Sequence, residues 1–307
     1  MEAASLALAL LATAPVELPE QTVRVIEQAP MYSTAAHGQR SSREFVDDVE
    51  VIPGEREVGM ELAFLSSPEG LSGRPLPFTD LVVGRLTGRA SLGRRFELSG
   101  RLDLVAKQPF PGGQPIFGGG ALVGRVQISP RTSLFLGAGG SPLFNQPGAA
   151  VELGAGWSGR RFLDERHRYF AFAAAVGAEG TGLVRPRAPV RLLELAADGA
   201  LQFMLPEDEG GVGLEVGTAL AIPAWHEGRA SWVESSPPFD ARTRVRFYLA
   251  GYLIVGPRWD LSVRWTVLDR GDAASPATRL PLLAGGYDQT ELTFGVSYRF
   301  GPNVRDR

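Results

Sequence analysis

The stretch Glu291-Leu292-Thr293-Phe294-Gly295-Val296-Ser297-Tyr298-Arg299-Phe300 decides the fold. Leu292, Phe294, Val296, Tyr298 and Phe300 fall on every second position, and Glu291, Thr293, Gly295, Ser297 and Arg299 fall between them. Successive side chains of an extended chain point to opposite faces, so one face here is apolar and the other polar. Helical spacing would mix the two classes on one stripe. The same alternation recurs upstream. Phe96, Leu98, Leu102 and Leu104 oppose Glu97, Ser99, Arg101 and Asp103, while Val82, Leu86 and Leu92 oppose Arg85, Thr87, Arg89 and Ser91.

Continued along the chain, this reading predicts twelve strands at about 58–65, 81–92, 95–107, 118–129, 132–140, 149–158, 168–179, 191–205, 212–222, 243–255, 259–268 and 290–300. Most are longer than the roughly 5–6 residues of an ordinary strand and match the roughly 9–11 residues that a tilted strand needs to cross a bilayer. The connections alternate in length. Gly93-Arg94, Pro130-Arg131 and Gly256-Pro257-Arg258 are tight, 159–167 and 206–210 are moderate, and the loops 66–80, 108–117, 141–148, 180–190, 223–242 and 269–289 are mostly longer. Short turns on one side and long loops on the other are the pattern of a closed up-and-down antiparallel barrel in a membrane. A soluble barrel or large sandwich is the competing reading, and it gives no reason for loop length to alternate. Phe96, Trp157, Phe170, Phe203, Trp259 and Phe300 all fall near the short-turn ends on the apolar face, at the height of an interfacial girdle.

Composition narrows the function. The chain has 307 residues, 31 basic and 34 acidic, for a net charge of −3. That balance argues against nucleic acid as a partner, which needs a basic excess. Cysteine is absent, which excludes disulfide scaffolds, thiolate metal sites and cysteine catalysis. No apolar run is long enough for a membrane-spanning helix. Ala3 to Ala12 is a shorter apolar run followed by Ala14, the form of a secretory signal. The expected organisation is a signal peptide at 1–14, a largely irregular periplasmic arm at 15–57, a transmembrane barrel at 58–300 and a tail at 301–307.

Residues 58–300 resemble the barrel of a Gram-negative outer-membrane protein of porin-like size. The ending, with Thr293, Gly295, Tyr298 and Phe300, is similar to the signal read by the barrel-assembly machinery. The resemblance implies export, insertion into the cell outer membrane with its lipid as a partner, and closure of the first strand on the last. The run from Val23 to Pro53, with VRVIEQAPMYST and SSREFVDDVEVIPG, resembles more weakly the segment that begins the plug of some TonB-dependent receptors.

Alternation assigns charged side chains to the interior. A basic wall is expected from Arg85, Arg89, Arg101, Arg125, Arg244, Arg246, Arg264 and Arg299, diluted by Glu61, Glu97, Asp103 and Glu291. An acidic wall is expected from Glu152, Glu194, Asp198 and Glu215. Opposed charged walls select permeant ions, so one expectation is a narrow passive pore for small polar or anionic solutes. The other is a sealed barrel, held by Arg–carboxylate pairs across a small lumen, with function in the outer loops that carry Trp225 and Trp232. A lipid-modifying enzyme ranks third. His37, His167 and His226 are the three histidines, placed in the arm, a periplasmic turn and an outer loop, and neither His167 nor His226 sits in a His-x-Ser pair. The expectation is therefore no enzyme, no metal and no cofactor.

Overall fold

The computed structural model describes residues 54, 56–66, 81–93, 95–106, 116–129, 131–141, 148–163, 169–183, 190–207, 210–228, 243–256, 258–269 and 289–301. Twelve strands follow one another: β1 (Arg56–Ser66), β2 (Leu81–Ser91), β3 (Phe96–Ala106), β4 (Ile116–Ser129), β5 (Thr132–Ser141), β6 (Gly148–Phe162), β7 (Tyr169–Leu183), β8 (Val190–Glu207), β9 (Gly210–Glu227), β10 (Arg244–Val255), β11 (Trp259–Asp269) and β12 (Gln289–Phe300). Each pairs antiparallel with its neighbours in sequence, and β1 pairs with β12 from Arg56 opposite Phe300 to Ser66 opposite Thr290. The ring closes and leaves no strand edge between first and last.

All twelve strands stand where the alternation places them. The ends differ where the alternation continues beyond a polar or Gly-rich stretch. β6 runs to Phe162 rather than 158, β7 to Leu183 rather than 179, and β9 to Glu227 rather than 222. Pro223 looks like the start of a loop, yet it lies inside β9, beside a shift in register between Leu193 and Glu194 of β8. Proline lacks the ladder donor and is accommodated at such irregularities. Trp225 and His226 are therefore corrected from an outer loop to the exposed end of β9. His37, His167, Trp232, the 1–14 signal and most of the 15–57 arm lie outside the described residues. The barrel itself begins at Arg56.

The β10–β11 turn is tight because Gly256 takes a φ of 61°, which side-chain-bearing residues rarely adopt. Polarity across the sheet is the reverse of a soluble protein. Outward Leu136 and Leu122 are 61% and 60% exposed, whereas inward Arg85 and Glu152 are 2% and 0% exposed. Large charged residues are almost never buried unless paired. An apolar exterior with charges inside needs lipid outside, which is how a closed barrel spans a bilayer.

Candidate functional site

The barrel interior gathers every side chain of the two expected walls. The arginines Arg85, Arg89, Arg101, Arg125, Arg244, Arg246, Arg264 and Arg299 sit on inward positions of β2, β3, β4, β10, β11 and β12. Glu152, Glu194, Asp198 and Glu215 sit on inward positions of β6, β8 and β9. Among described inward positions the acids are Glu57, Glu61, Glu97, Asp103, Glu152, Glu179, Glu194, Asp198, Glu215, Asp260 and Glu291, which outnumber the eight arginines. Glu179, the last residue of the strand expected at 168–179, joins this acidic set although it is absent from the expected acidic wall. The inward series Ala171, Ala173, Ala175, Gly177 leads directly to it.

A first charge cluster straddles the closing seam. The Arg85 guanidinium donates to both Glu291 carboxylate oxygens, at 2.7 and 3.0 Å. It also reaches Glu61 at 3.5 Å and Asp103 at 3.9 Å. Asp103 and Glu61 lie directly opposite Arg85 in register, on β3 and β1. Arg101 Nε donates to Asp103 at 3.2 Å, and the Thr293 hydroxyl donates to Glu291 at 2.7 Å. Because Glu291 is on β12 and Arg85 on β2, the bidentate pair passes over β1 and ties the two chain ends of the barrel together. Nearer the short turns, Arg89 pairs with Glu57 at 3.3 Å and Glu97 at 3.4 Å, and Arg125 pairs with Glu97 at 3.2 Å. The basic wall of β2–β4 is thus interleaved with carboxylates.

The acidic side is built differently. Glu152, Glu179 and Glu194 face one another in register across β6, β7 and β8. Like charges directly opposite are destabilising. Arg244 from β10 relieves this by reaching Glu179 at 3.4 Å and Glu194 at 3.5 Å. It can extend that far because the positions in its own row on the intervening strands are small: Ala221 opposes it, and Ala196 opposes Ala221. Six residues from Ala221 along β9, toward the β8–β9 turn, Glu215 accepts hydrogen bonds from the Tyr248 hydroxyl at 2.6 Å, the Tyr252 hydroxyl at 2.8 Å and Gln202 at 3.4 Å. Arg264 donates to the Tyr252 hydroxyl at 3.3 Å, and its guanidinium lies 5.2 Å from the centre of the Tyr248 ring. Tyr248, Tyr252 and Gln202 escape a search for charges alone; their buried polar tips mark them.

Interior glycines let the large side chains lie flat against the wall. A Cβ on Gly217 would run into the Tyr248 ring, one on Gly213 into the Met204 sulfur, and one on Gly154 into Phe135. Of the expected assembly signal, Thr293 and Gly295 point inward. Tyr298 and Phe300 point outward with ring centroids 4.8 Å apart, and Tyr298 also meets Trp259 at 4.7 Å. Tyr298 extends the expected girdle, in which Phe170 and Phe203 meet with ring centroids 5.0 Å apart and tilted by 40°. Among the described residues no group of three or more His, Asp or Glu is arranged to hold a metal ion.

An oily exterior, a charged interior and a closed ring occur together only where lipid surrounds the sheet. The chain is a transmembrane β-barrel. It is similar in shape to LpxR from Salmonella typhimurium, with a TM-score of 0.47 and 10% identity over 79% of this chain and 99% of that one. An outer-membrane channel from Pseudomonas putida F1 matches with a TM-score of 0.45 and 11% identity, over 81% of this chain and 96% of that one. The KdgM porin in complex with disordered oligogalacturonate matches with a TM-score of 0.41 and 11% identity, over 80% and 99%. No family model matches the chain, and no curated protein matches it.

Proposed function

We propose that this barrel is a narrow passive pore of the cell outer membrane, taking small polar solutes. The observation that supports the pore most is the direction of the interior ion pairs. Those described above lie within one strand or join strands at most three places apart in a ring of twelve, so they run along the wall. The side chains of Glu61, Arg89 and Arg125 keep 25%, 12% and 16% exposure while facing inward, which is exposure to space inside the barrel. Half-buried Thr87, Ser99, Ser262 and Ser297 add small hydroxyls to the same side. Charged and hydroxyl groups at close quarters replace part of a solute's hydration. The excess of carboxylates over arginines extends the solute class beyond anions to neutral and cationic species. The role is passive and carries no catalytic step.

Outer-membrane residence rests on the strand lengths, the aromatic rim and the likeness of Thr293, Gly295, Tyr298 and Phe300 to a signal for the barrel-assembly machinery. A sealed barrel is the second reading. Exclusion of Arg85, Glu152 and Glu215 from water favours it. Planar-bilayer recording separates the two. The pore gives discrete current steps on insertion of the refolded protein, and a silent bilayer containing inserted protein overturns it.

A further inference from the structure

The outward rim at the short-turn end carries a recess that the pore does not use. It has a volume of about 660 Å³, within the range of about 300–1,000 Å³ common for small-ligand sites. Its apolar part comes from Val212 at the start of β9 and from Leu253 and Val255 at the end of β10, all on the lipid-facing side. Gly210 and Gly256 open it by contributing no side chain. At Gly210 a side chain is excluded outright, because a Cβ there would meet the Ile254 carbonyl oxygen. Its polar part is Arg258, exposed in the β10–β11 turn and donating to the Tyr298 hydroxyl at 3.1 Å. Trp259 and Tyr298, in edge contact, form the end wall.

We propose that this recess binds one anionic glycerophospholipid, with the phosphate on Arg258 and an acyl chain along Val212, Leu253 and Val255. Three features select that occupant. The floor continues directly into the apolar belt, so a chain entering it never leaves hydrocarbon. The aromatic pair sets the recess at headgroup height, where such rings concentrate. The guanidinium is a planar donor suited to phosphate oxygens, and Tyr298 already orients it. Basic recesses at membrane boundaries recognise lipid headgroups by the same logic.

The test uses the full chain reconstituted in mixed bilayers, with quenching of tryptophan fluorescence by brominated phosphatidylglycerol or brominated phosphatidylcholine at equal mole fraction. The Trp259→Phe variant identifies the Trp259 share of the signal. The expected result is that phosphatidylglycerol quenches Trp259 with about fivefold higher apparent affinity, equivalent to roughly 1 kcal/mol for one basic residue. Arg258→Gln abolishes that preference. Arg131→Gln, which removes another exposed arginine of a short turn, leaves it intact. Millimolar inorganic phosphate does not compete. Equal quenching by the two lipids, or a preference that survives Arg258→Gln, overturns the proposal. Loss of the preference on Arg131→Gln reduces it to general surface charge and overturns it equally. Competition by free phosphate replaces the lipid with a simple anion.

Discussion

Arg85 shows how a single residue holds this barrel. It is 2% exposed and bridges carboxylates on β1, β3 and β12. Removing one member of a buried ion network costs about 3–5 kcal/mol, because the remaining charges stay buried without compensation. Arg85→Ala is therefore expected to lower unfolding stability in lipid vesicles by about that amount, read from urea titration. Replacing Arg85 and Glu291 together by Met and Leu removes both charges and is expected to cost less than Arg85→Ala alone. A double variant that is worse than the single one would show that the pair acts other than by charge balance. Gly217 illustrates the opposite constraint. Gly217→Val adds atoms where the Tyr248 ring lies, which costs about 1–3 kcal/mol and displaces the Tyr248 hydroxyl from Glu215. Differential scanning calorimetry of the reconstituted variant measures the loss, and an unchanged midpoint would mean that Tyr248 has room to move inward.

At the scale of the strand, the outward face sets a different rule. Leu136 on β5 and Leu153 on β6 oppose one another in register and both face out. Arginine on the lipid face near mid-bilayer costs about 2–4 kcal/mol, and much less near an interface. Leu136→Arg is expected to destabilise the vesicle-folded protein by about that much. On a water-facing surface the same change is nearly neutral, so an unaffected midpoint would contradict a lipid environment at this position. The period of two exposed all twelve strands in the sequence, because each side of the wall meets one solvent over its whole length. Strand ends were harder to read, since tilt and stagger carry some strands past the rim. β9 is the example: Pro223 reads as a terminator, and only the irregularity beside Glu194 shows how the strand continues to Glu227. The candidate site was legible to the same depth. Alternation identifies which charges point inward, but pairing depends on register between strands. Nothing in the linear spacing brings Glu291 to Arg85, or Arg244 across two strands to Glu179.

Over the whole molecule, charge is distributed so that the two halves of the interior behave differently. Around β1–β4 and β12, arginines and carboxylates alternate at short range and largely cancel. Around β6–β8, three glutamates share one row, and Arg244 reaches two of them. A row of one sign biases permeant ions through its field even where its carboxylates are buried, because charges inside a low-dielectric wall are weakly screened. The row therefore gives the proposed pore a preference for cations. Glu152→Gln with Glu194→Gln preserves side-chain size and leaves Glu179 to hold Arg244. This double variant is expected to carry current with the reversal potential in a salt gradient displaced toward that of chloride, while the current steps persist. Replacing Glu57 and Glu97 by Gln removes charges that Arg89 and Arg125 already neutralise, and it exposes those arginines to the interior. That change also favours anions, but from the opposite wall, so combining it with the first should add to the displacement, as independent sites do. A reversal potential that responds to neither pair would place the selectivity in the outer loops instead of in the wall.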